Sequence, residues 1–260
     1  MKYIIGNWKM HLGIRESVAL ARGVLRSLRG KDITPEVVIC PAFTSLSEIH
    51  KVTARSRVHL GAQNCGPAKS GRFTGEVSTA MLEDLNCSFV IIGHSERREH
   101  FCESDELVSQ KLKTVIESSR LTPILCVGEP WGVREAGEAF EFVTGQVKAA
   151  LSKLSLPKNR RIIIAYEPLW AIGTGKNANP GDIAEMHQHI RAQARKISNL
   201  DGDRVKVVYG GSVDSENAYQ FLRESEVDGL LVGGASRSLS EFDKIINAGI
   251  DVIEAQADSL

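Results

Sequence analysis

The chain has 260 residues, of which 42% are hydrophobic and 25% charged, and its 32 basic and 32 acidic side chains give a formal net charge of +0. This composition is ordinary for a globular protein, and the chain is long enough to bury a large core without disulfides. A balanced charge offers no long-range attraction for nucleic acid or for an anionic membrane, so we expect neither as a partner.

The cysteines and the N-terminal segment indicate a reducing compartment. No two of the five cysteines form a Cys-x-x-Cys pair, so we expect neither a disulfide framework nor a zinc knuckle. The N-terminal apolar run ends too early for a signal peptide, and no stretch has the roughly 18 apolar residues of a membrane span. We therefore expect a cytoplasmic protein.

Eight short apolar runs recur along the chain without strict polar alternation, a pattern typical of parallel strands buried on both faces. In chain order they are Tyr3–Ile5, Val37–Cys40, Val58–Ala62, Phe89–Gly93, Pro123–Val127, Ile162–Tyr166, Val205–Tyr209 and Gly229–Val232. Amphipathic stretches between them predict helices, among them Ser17–Leu28, Ser104–Ile116, Phe140–Leu154 and Asp182–Ile197. Asn179 and Pro180 read as the cap and first residue of the last of these.

Eight strand–helix units predict an α/β fold, a single closed (β/α)₈ barrel that spans residues 1–260 as one domain. We expect the chain after Ala248 to be a short polar tail. An open doubly wound sheet is the alternative, but it needs a topological switch point, and nothing in the sequence marks one.

In such a barrel the chemistry lies at the carboxyl ends of the strands. Those ends supply an amide, a cation, an imidazole and a carboxylate, with two glycine pairs beside them. The residues are Asn7 and Lys9 after strand one, His94–Arg97 after strand four, Glu167 after strand six, Gly210–Val213 after strand seven and Gly233–Ser236 after strand eight. We expect them to converge on one mouth of the barrel.

Each candidate has an ordinary alternative. Lys9 alone would be a solvated surface charge, and His94 alone a structural histidine or a helix cap. Glu167 directly follows a strand that reads as buried, where an unpaired carboxylate is costly, although a structural salt bridge would satisfy it. The glycine pairs could be plain turns, but backbone N–H groups after strands seven and eight form the usual phosphate site of a barrel.

The segment after Glu167 begins with proline, contains a tryptophan and continues as a small-residue loop. This order is typical of a catalytic base on a rigid strand beside a hinged lid that excludes water. Gly173–Lys176 resembles part of a P-loop and of a dinucleotide fingerprint. However, Asn177 stands where a P-loop has Ser or Thr, and Glu167–Ile172 separates these glycines from the strand. We therefore expect no nucleotide site here.

Taken together, these segments resemble the triosephosphate isomerase family over nearly the whole chain. The most specific motifs are His94-Ser95-Glu96-Arg97-Arg98 and the run from Tyr166 to Lys176, Tyr-Glu-Pro-Leu-Trp-Ala-Ile-Gly-Thr-Gly-Lys. The resemblance implies a TIM barrel that interconverts dihydroxyacetone phosphate and D-glyceraldehyde 3-phosphate through an enediolate, in glycolysis and gluconeogenesis. It implies no metal and no organic cofactor, because enolisation beside a carbonyl needs only a base and an electrophile.

The resemblance also implies a role for each catalytic residue. Glu167 would move a proton between neighbouring carbons, and His94 would polarise the carbonyl with a neutral ring, a known property of that family. Lys9 would supply positive charge to the substrate and the enediolate, and Asn7 would donate a hydrogen bond. Glu96 would be a supporting acid/base group.

The phosphate of the substrate would be held by backbone N–H groups of Gly173, Ser212 and Gly234, with Gly233 close by. The lid would span roughly Pro168 to Ala178, and its closure would bring the Gly173 N–H onto the phosphate.

The family acts as a homodimer, and the resemblance implies that the loop Gln63–Glu76 enters the neighbouring subunit, with Thr74 reaching across. The sequence departs from the usual pattern at Arg72, where Ala is common, and also at Cys102 and Arg237. Two other functions stay open at this point, a barrel acting on another small phosphosugar and a non-catalytic phosphate-binding barrel. The presence of both His94 and Glu167 argues against each.

Overall fold

A computed structural model describes residues 1–172, 178–198 and 202–258 of the chain. Eight parallel strands form a closed barrel in sequence order, and β8 pairs with β1 to close it. The strands are β1 (Tyr3–Asn7), β2 (Glu36–Cys40), β3 (Val58–Ala62), β4 (Phe89–Ile92), β5 (Thr122–Val127), β6 (Ile162–Tyr166), β7 (Val205–Tyr209) and β8 (Gly229–Val232). The predicted closed barrel is confirmed, and the open sheet is excluded.

The described part of the chain has ten α-helices, of which nine lie between strands and the last follows β8. They are α1 (Ile14–Ser27), α2 (Phe43–Thr53), α3 (Thr79–Asp84), α4 (Ser95–His100), α5 (Asp105–Ser118), α6 (Trp131–Glu135), α7 (Ala139–Leu151), α8 (Pro180–Ser198), α9 (Ala218–Leu222) and α10 (Leu239–Ala257). None of these helices is long and apolar enough to cross a bilayer. The predicted start of α8 is confirmed, because the Asn179 side chain accepts a hydrogen bond from the Gly181 N–H at 2.9 Å.

Side chains that alternate along each strand build two layers of core. On β6, Ile163 and Ala165 belong to the cluster inside the barrel, whereas Ile162, Ile164 and Tyr166 pack toward the helices. Both faces are therefore buried, which explains why the sequence shows no polar alternation. The same two-residue period continues past the end of the strand and aims Glu167 into the mouth of the barrel.

The predicted polar tail after Ala248 is wrong. Helix α10 continues to Ala257 and buries Ile250 and Val252 against the barrel. The apolar residues of this segment recur at helical spacing, and the acidic residues between them occupy its outer face. The prediction of a tail relied on the number of polar residues after Ala248 and overlooked the helical spacing of the apolar ones.

A buried histidine gives the fold a pH dependence. His187 on α8 is fully buried, and its Nδ1 lies 3.3 Å from the Glu226 carbonyl oxygen. Burial lowers the pKa of this imidazole from 6.5 to about 3. As the pH falls, this imidazole is therefore protonated near neutral pH in the unfolded chain but only at much lower pH in the folded chain. The free energy of unfolding decreases as the pH falls between these two values.

We predict that His187 alone removes about 2 kcal/mol of the free energy of unfolding between about pH 7.5 and about pH 5. Urea denaturation of His187→Gln at both pH values should show a correspondingly shallower dependence on pH. His100→Gln, at an exposed position, is the matched control and should keep the dependence of the unaltered protein. Equal dependence in His187→Gln and His100→Gln would contradict the prediction.

Candidate active site

The predicted site residues surround one cavity of about 350 Å³ at the carboxyl ends of the strands. Its lining includes Asn7, Lys9, His94, Glu167, Ser212, Gly233 and Gly234. Glu96 does not line this cavity but reaches it through Lys9, as described below. Gly173, the remaining predicted substrate contact, lies outside the described residues.

Glu167 and His94 form the centre of the cavity. The Glu167 side chain is almost fully buried, and its Oε1 lies 3.1 Å from Nε2 of His94. Its other oxygen, Oε2, accepts a hydrogen bond of 3.0 Å from the backbone N–H of Ser95, the first residue of α4. A buried carboxylate is therefore satisfied at the positive end of a short helix rather than by a cation.

The His94 ring is oriented by the same helix. His94 is the N-cap of α4, and its Nδ1 accepts a hydrogen bond of 3.3 Å from the Glu96 backbone N–H. A nitrogen that accepts this bond carries no proton, so the proton of a neutral ring is on Nε2, facing Glu167.

Lys9 has an unusual backbone conformation that the surrounding residues hold in place. Its φ of 52° lies in the left-handed region, which costs a non-glycine residue about 1–2 kcal/mol. Its N–H donates to Oδ1 of Asn7 at 3.0 Å, and Nε2 of Gln63 donates to its carbonyl at 2.8 Å. Gln63 also donates to the Cys40 carbonyl at 2.9 Å, which ties Lys9 to the end of β2.

Glu96 holds the Lys9 side chain from the outer side of the cavity. Lys9 Nζ lies 2.6 Å from Glu96 Oε1. Burial alone would raise the pKa of Glu96, but the hydrogen bond and the charge of Lys9 outweigh burial and lower it. The Glu96 side chain is 43% exposed, so solvent screens the pair and it adds little to stability. Its effect is to fix the position of the ammonium group.

The two glycine turns after β7 and β8 leave room for the neighbouring catalytic side chains. A Cβ on Gly210 would lie 3.0 Å from Cγ of Glu167, and one on Gly233 would lie 3.3 Å from Cε of Lys9. The Ser212 hydroxyl donates to the Ala171 carbonyl at 2.7 Å, so it contacts the first part of the predicted lid. These turns therefore supply bare backbone beside the catalytic groups.

Sequence reasoning missed several supporting residues. The Ser95 N–H and the Gln63 amide were not assigned roles, nor was Gly128, where a Cβ would lie 1.8 Å from the Glu167 carbonyl oxygen. Cys126, at the end of β5, has its pKa raised well above the usual value by burial and then by the charge of Glu167, so it stays a neutral thiol. The rule that strand ends carry function would have singled out Cys126 and Gly128 had it been applied to β5.

Comparison with known proteins finds similarity over nearly the whole chain. Residues 2–249 match the family model described as triosephosphate isomerase. The triosephosphate isomerase of Dictyoglomus turgidum is 44% identical over 248 residues, which cover 95% of this chain and 99% of that one. That of Endomicrobium trichonymphae is 42% identical over 241 residues, covering 93% and 96%. The crystal structure of triosephosphate isomerase from Bartonella henselae superposes with a TM-score of 0.83 at 33% identity, covering 95% of this chain and 98% of that one.

From the contact between Lys9 and Glu96 we predict a change in the pKa of Glu96 that can be measured without an activity assay. In Lys9→Met the pKa of Glu96 should rise, because burial then acts without the opposing ammonium group. Carboxyl ¹³C NMR titration of Glu96 measures this shift. Lys113→Met, a matched change at an exposed lysine, should leave the Glu96 titration unchanged. A Glu96 titration that is the same in Lys9→Met and the unaltered protein would show that Lys9 does not set it.

Proposed function

The chain belongs to the triosephosphate isomerase family, and we propose that Glu167 and His94 carry out the proton transfers of its reaction. That reaction interconverts dihydroxyacetone phosphate and D-glyceraldehyde 3-phosphate, a step of glycolysis and gluconeogenesis. One observation supports these roles above all others, the buried Glu167 carboxylate 3.1 Å from His94 Nε2 in a cavity of about 350 Å³. A cavity of this volume suits a three-carbon phosphate better than a larger sugar phosphate.

Glu167 is the proposed base. Its carboxylate takes the proton from the carbon beside the carbonyl, and the electrons of that C–H bond form the double bond of the enediolate. The same carboxylate then returns the proton to the neighbouring carbon. To act in this way Glu167 exchanges its hydrogen bond from Ser95 for contact with the substrate, because its two oxygens contact Ser95 and His94 in this structure.

His94 is the proposed electrophile. Its Nε2–H faces the cavity and donates to the substrate oxygen on which negative charge develops, and it passes protons between the two oxygens of the enediolate. The hydrogen bond from the Glu96 N–H to Nδ1 keeps the donor proton on Nε2. A neutral donor is sufficient here, because the proton is shared with an enediolate oxygen rather than released to solvent.

Lys9 and Asn7 are proposed to stabilise the charge of the substrate and of the enediolate. The Asn7 Oδ1 accepts from the Lys9 N–H, which leaves the amide NH₂ as the group of Asn7 that donates into the cavity. The ammonium group of Lys9, held by Glu96, adds a fixed positive charge. We propose that Glu96 supports the reaction by holding Lys9, since its lowered pKa makes it a poor proton donor at neutral pH.

The phosphate is proposed to bind backbone N–H groups of Ser212 and Gly234, with Gly233 close by and Gly173 contributed by the lid. The start of the lid is anchored by Glu129, which is fully buried. The Glu129 carbonyl accepts from the Leu169 N–H at 3.1 Å, and its Oε1 accepts from the Trp170 indole at 2.8 Å. We propose that the lid closes relative to this anchor and that neither a metal nor an organic cofactor takes part.

We propose that the protein is a homodimer formed through the loop Gln63–Glu76. The stem of this loop is well fixed, because the Gly66 N–H donates to the Val77 carbonyl at 2.8 Å and the Thr114 hydroxyl to the Pro67 carbonyl at 2.6 Å. Phe73 near its tip is 46% exposed, and Met10, beside the catalytic Lys9, is 94% exposed. Large exposed apolar side chains, one on this loop and one beside Lys9, favour burial against a second copy.

We further propose that the whole chain is one catalytic domain and that it works in the cytoplasm. The barrel draws strands from Tyr3 to Val232, and Gly249 of α10 packs against Ile4 and Pro35 near the start of the chain. The five cysteines are all free, and four of them are buried. Free thiols favour a reducing compartment.

We predict that Glu167→Asp and His94→Ala each lower kcat at least about 100-fold, because each removes a positioned proton-transfer group. A coupled isomerase assay on purified protein measures this, with phosphoglycolate binding as the check that the cavity remains formed. Glu135→Asp, at an exposed position on α6, should keep normal turnover. Near-normal kcat in either catalytic variant would refute the assigned role.

We predict that Phe73→Asp shifts the protein toward monomer, since a carboxylate in an apolar interface is costly to bury. Sedimentation velocity over a range of protein concentrations measures the shift. Tyr219→Asp is the matched control, because Tyr219 is 43% exposed on α9 and lies outside the loop. If both variants sediment as the unaltered protein does, the loop is not the dimer contact.

A further inference from the structure

A second, larger cavity of about 780 Å³ opens at the ends of α1 and α2. It is formed by the last turns of these helices and by the loops that lead from them into β2 and β3. Helices of this barrel run antiparallel to the strands that precede them. The cavity therefore lies at the amino-terminal ends of the strands, on the face opposite the active site.

The lining of this cavity is strongly basic, although the chain as a whole is neutral. One carboxylate, Asp32, faces six cationic side chains, which are Arg22, Arg26, Arg29, Lys31, Arg55 and Arg57. Within the described ranges none of the six is paired with a carboxylate. The Arg57 guanidinium donates to the Lys31 carbonyl at 2.7 Å, and the Lys31 ammonium contacts the amide oxygen of Asn247. The six positive charges of the cavity therefore far exceed the single negative charge of Asp32.

Helix dipoles account for only part of this cluster. Cations are favourable near the C-terminus of a helix, where the last carbonyls are unpaired, but the effect fades within one turn. Arg26 lies in the last turn of α1, and Arg29 and Arg55 follow the ends of α1 and α2 closely. Arg22 lies more than one turn before the end of α1, and Arg57 adjoins the start of β3, so neither position is explained in this way.

The spacing of the cations makes them act together. Arg22, Arg26 and Arg29 follow each other at i, i+4 and i+7 and so share one side of α1 and its end. Like charges at this spacing repel one another, and this cost is recovered when an anion binds between them. Each arginine guanidinium group can donate two hydrogen bonds to the oxygens of one phosphate. A chain of several phosphates therefore fits such a cluster better than a single phosphate does.

The remaining lining gives the cavity an apolar side. Leu25, Leu28, Val52 and Val58 contribute to it, and all four pack on the hydrophobic core. A volume of about 780 Å³ lies in the range of small-molecule sites. An apolar wall beside a cationic rim suits a ligand with a flat organic group at one end and several phosphates at the other.

From this arrangement we infer a second ligand site, for a small molecule that carries an oligophosphate group, of the nucleoside di- or triphosphate class. A nucleic acid strand fits less well, because the cations gather around one concavity of about 780 Å³ and the chain has no net positive charge. The catalytic phosphate site differs in chemistry, since it is proposed to bind a single phosphate through backbone N–H groups.

The test is a binding titration with adenosine triphosphate, inorganic tripolyphosphate, orthophosphate, adenosine and a short duplex DNA, at matched ionic strength and without divalent cations. Each titration is run both without and with saturating phosphoglycolate, which occupies the catalytic site. We expect adenosine triphosphate to bind at least about tenfold more tightly than orthophosphate, because several charge-assisted bonds form at once. Tighter binding of adenosine triphosphate than of tripolyphosphate identifies a nucleoside phosphate as the source, and equal binding identifies a free oligophosphate.

The decisive variant is Arg22→Gln with Arg29→Gln and Arg55→Gln, which should weaken binding at least about tenfold. The matched control is Arg120→Gln with Lys158→Gln and Arg223→Gln, which removes an equal number of positive charges from exposed positions outside the cavity. This variant should bind adenosine triphosphate as the unaltered protein does. Isomerase turnover of both variants should stay normal, which separates this inference from the assigned activity and shows that the variants fold.

Four outcomes would overturn the inference. They are equal weakening in the two triple variants, orthophosphate binding as tightly as adenosine triphosphate, displacement of the bound oligophosphate by phosphoglycolate, and tighter binding of a short duplex DNA than of adenosine triphosphate. The first two would show diffuse electrostatic attraction, the third binding in the active site, and the fourth a nucleic acid surface.

Discussion

Two consecutive backbone N–H groups at the start of α4 hold the side chains of both proposed catalytic residues, Glu167 and His94. The Ser95 N–H binds the Glu167 carboxylate at 3.0 Å, and the Glu96 N–H binds Nδ1 of His94 at 3.3 Å. These bonds satisfy a buried carboxylate without a cation, and they leave the imidazole proton on the nitrogen that faces the cavity. The proposed base and the proposed electrophile are thus both held by one short piece of backbone.

The closed barrel is what allows this piece of backbone to meet Glu167, which lies more than 70 residues further along the chain. All strands of a parallel barrel end on the same face, and the two-residue alternation of β6 aims Glu167 inward after Ala165. The neighbouring backbone then packs closely around Glu167. A Cβ on Gly128 would overlap the Glu167 carbonyl oxygen, and a Cβ on Gly210 would crowd the Glu167 Cγ. Packing of the neighbouring strand ends therefore contributes directly to the alignment of the base.

Much of this arrangement could be predicted from the sequence, because it follows from local patterns. The apolar runs gave the eight strands to within a few residues, and the strand ends gave Asn7, His94 and Glu167 as neighbours. What escaped prediction depends on pairs of residues far apart in the chain. The left-handed backbone of Lys9 is stabilised by Gln63, and the basic cavity joins two loops whose individual sequences look like ordinary solvated turns. Composition also misled at the C-terminus, where the spacing of Ile250 and Val252 mattered more than the polar residues between them.

We infer that the His94 ring carries a proton on Nε2, directed at the substrate, and none on Nδ1. Imidazole ¹⁵N NMR on labelled protein at neutral pH, free and bound to phosphoglycolate, measures where the ring proton lies. We expect a single ring proton on Nε2 and an unprotonated Nδ1 that accepts from the Glu96 N–H. A ring protonated on both nitrogens, or a single proton on Nδ1, would contradict it.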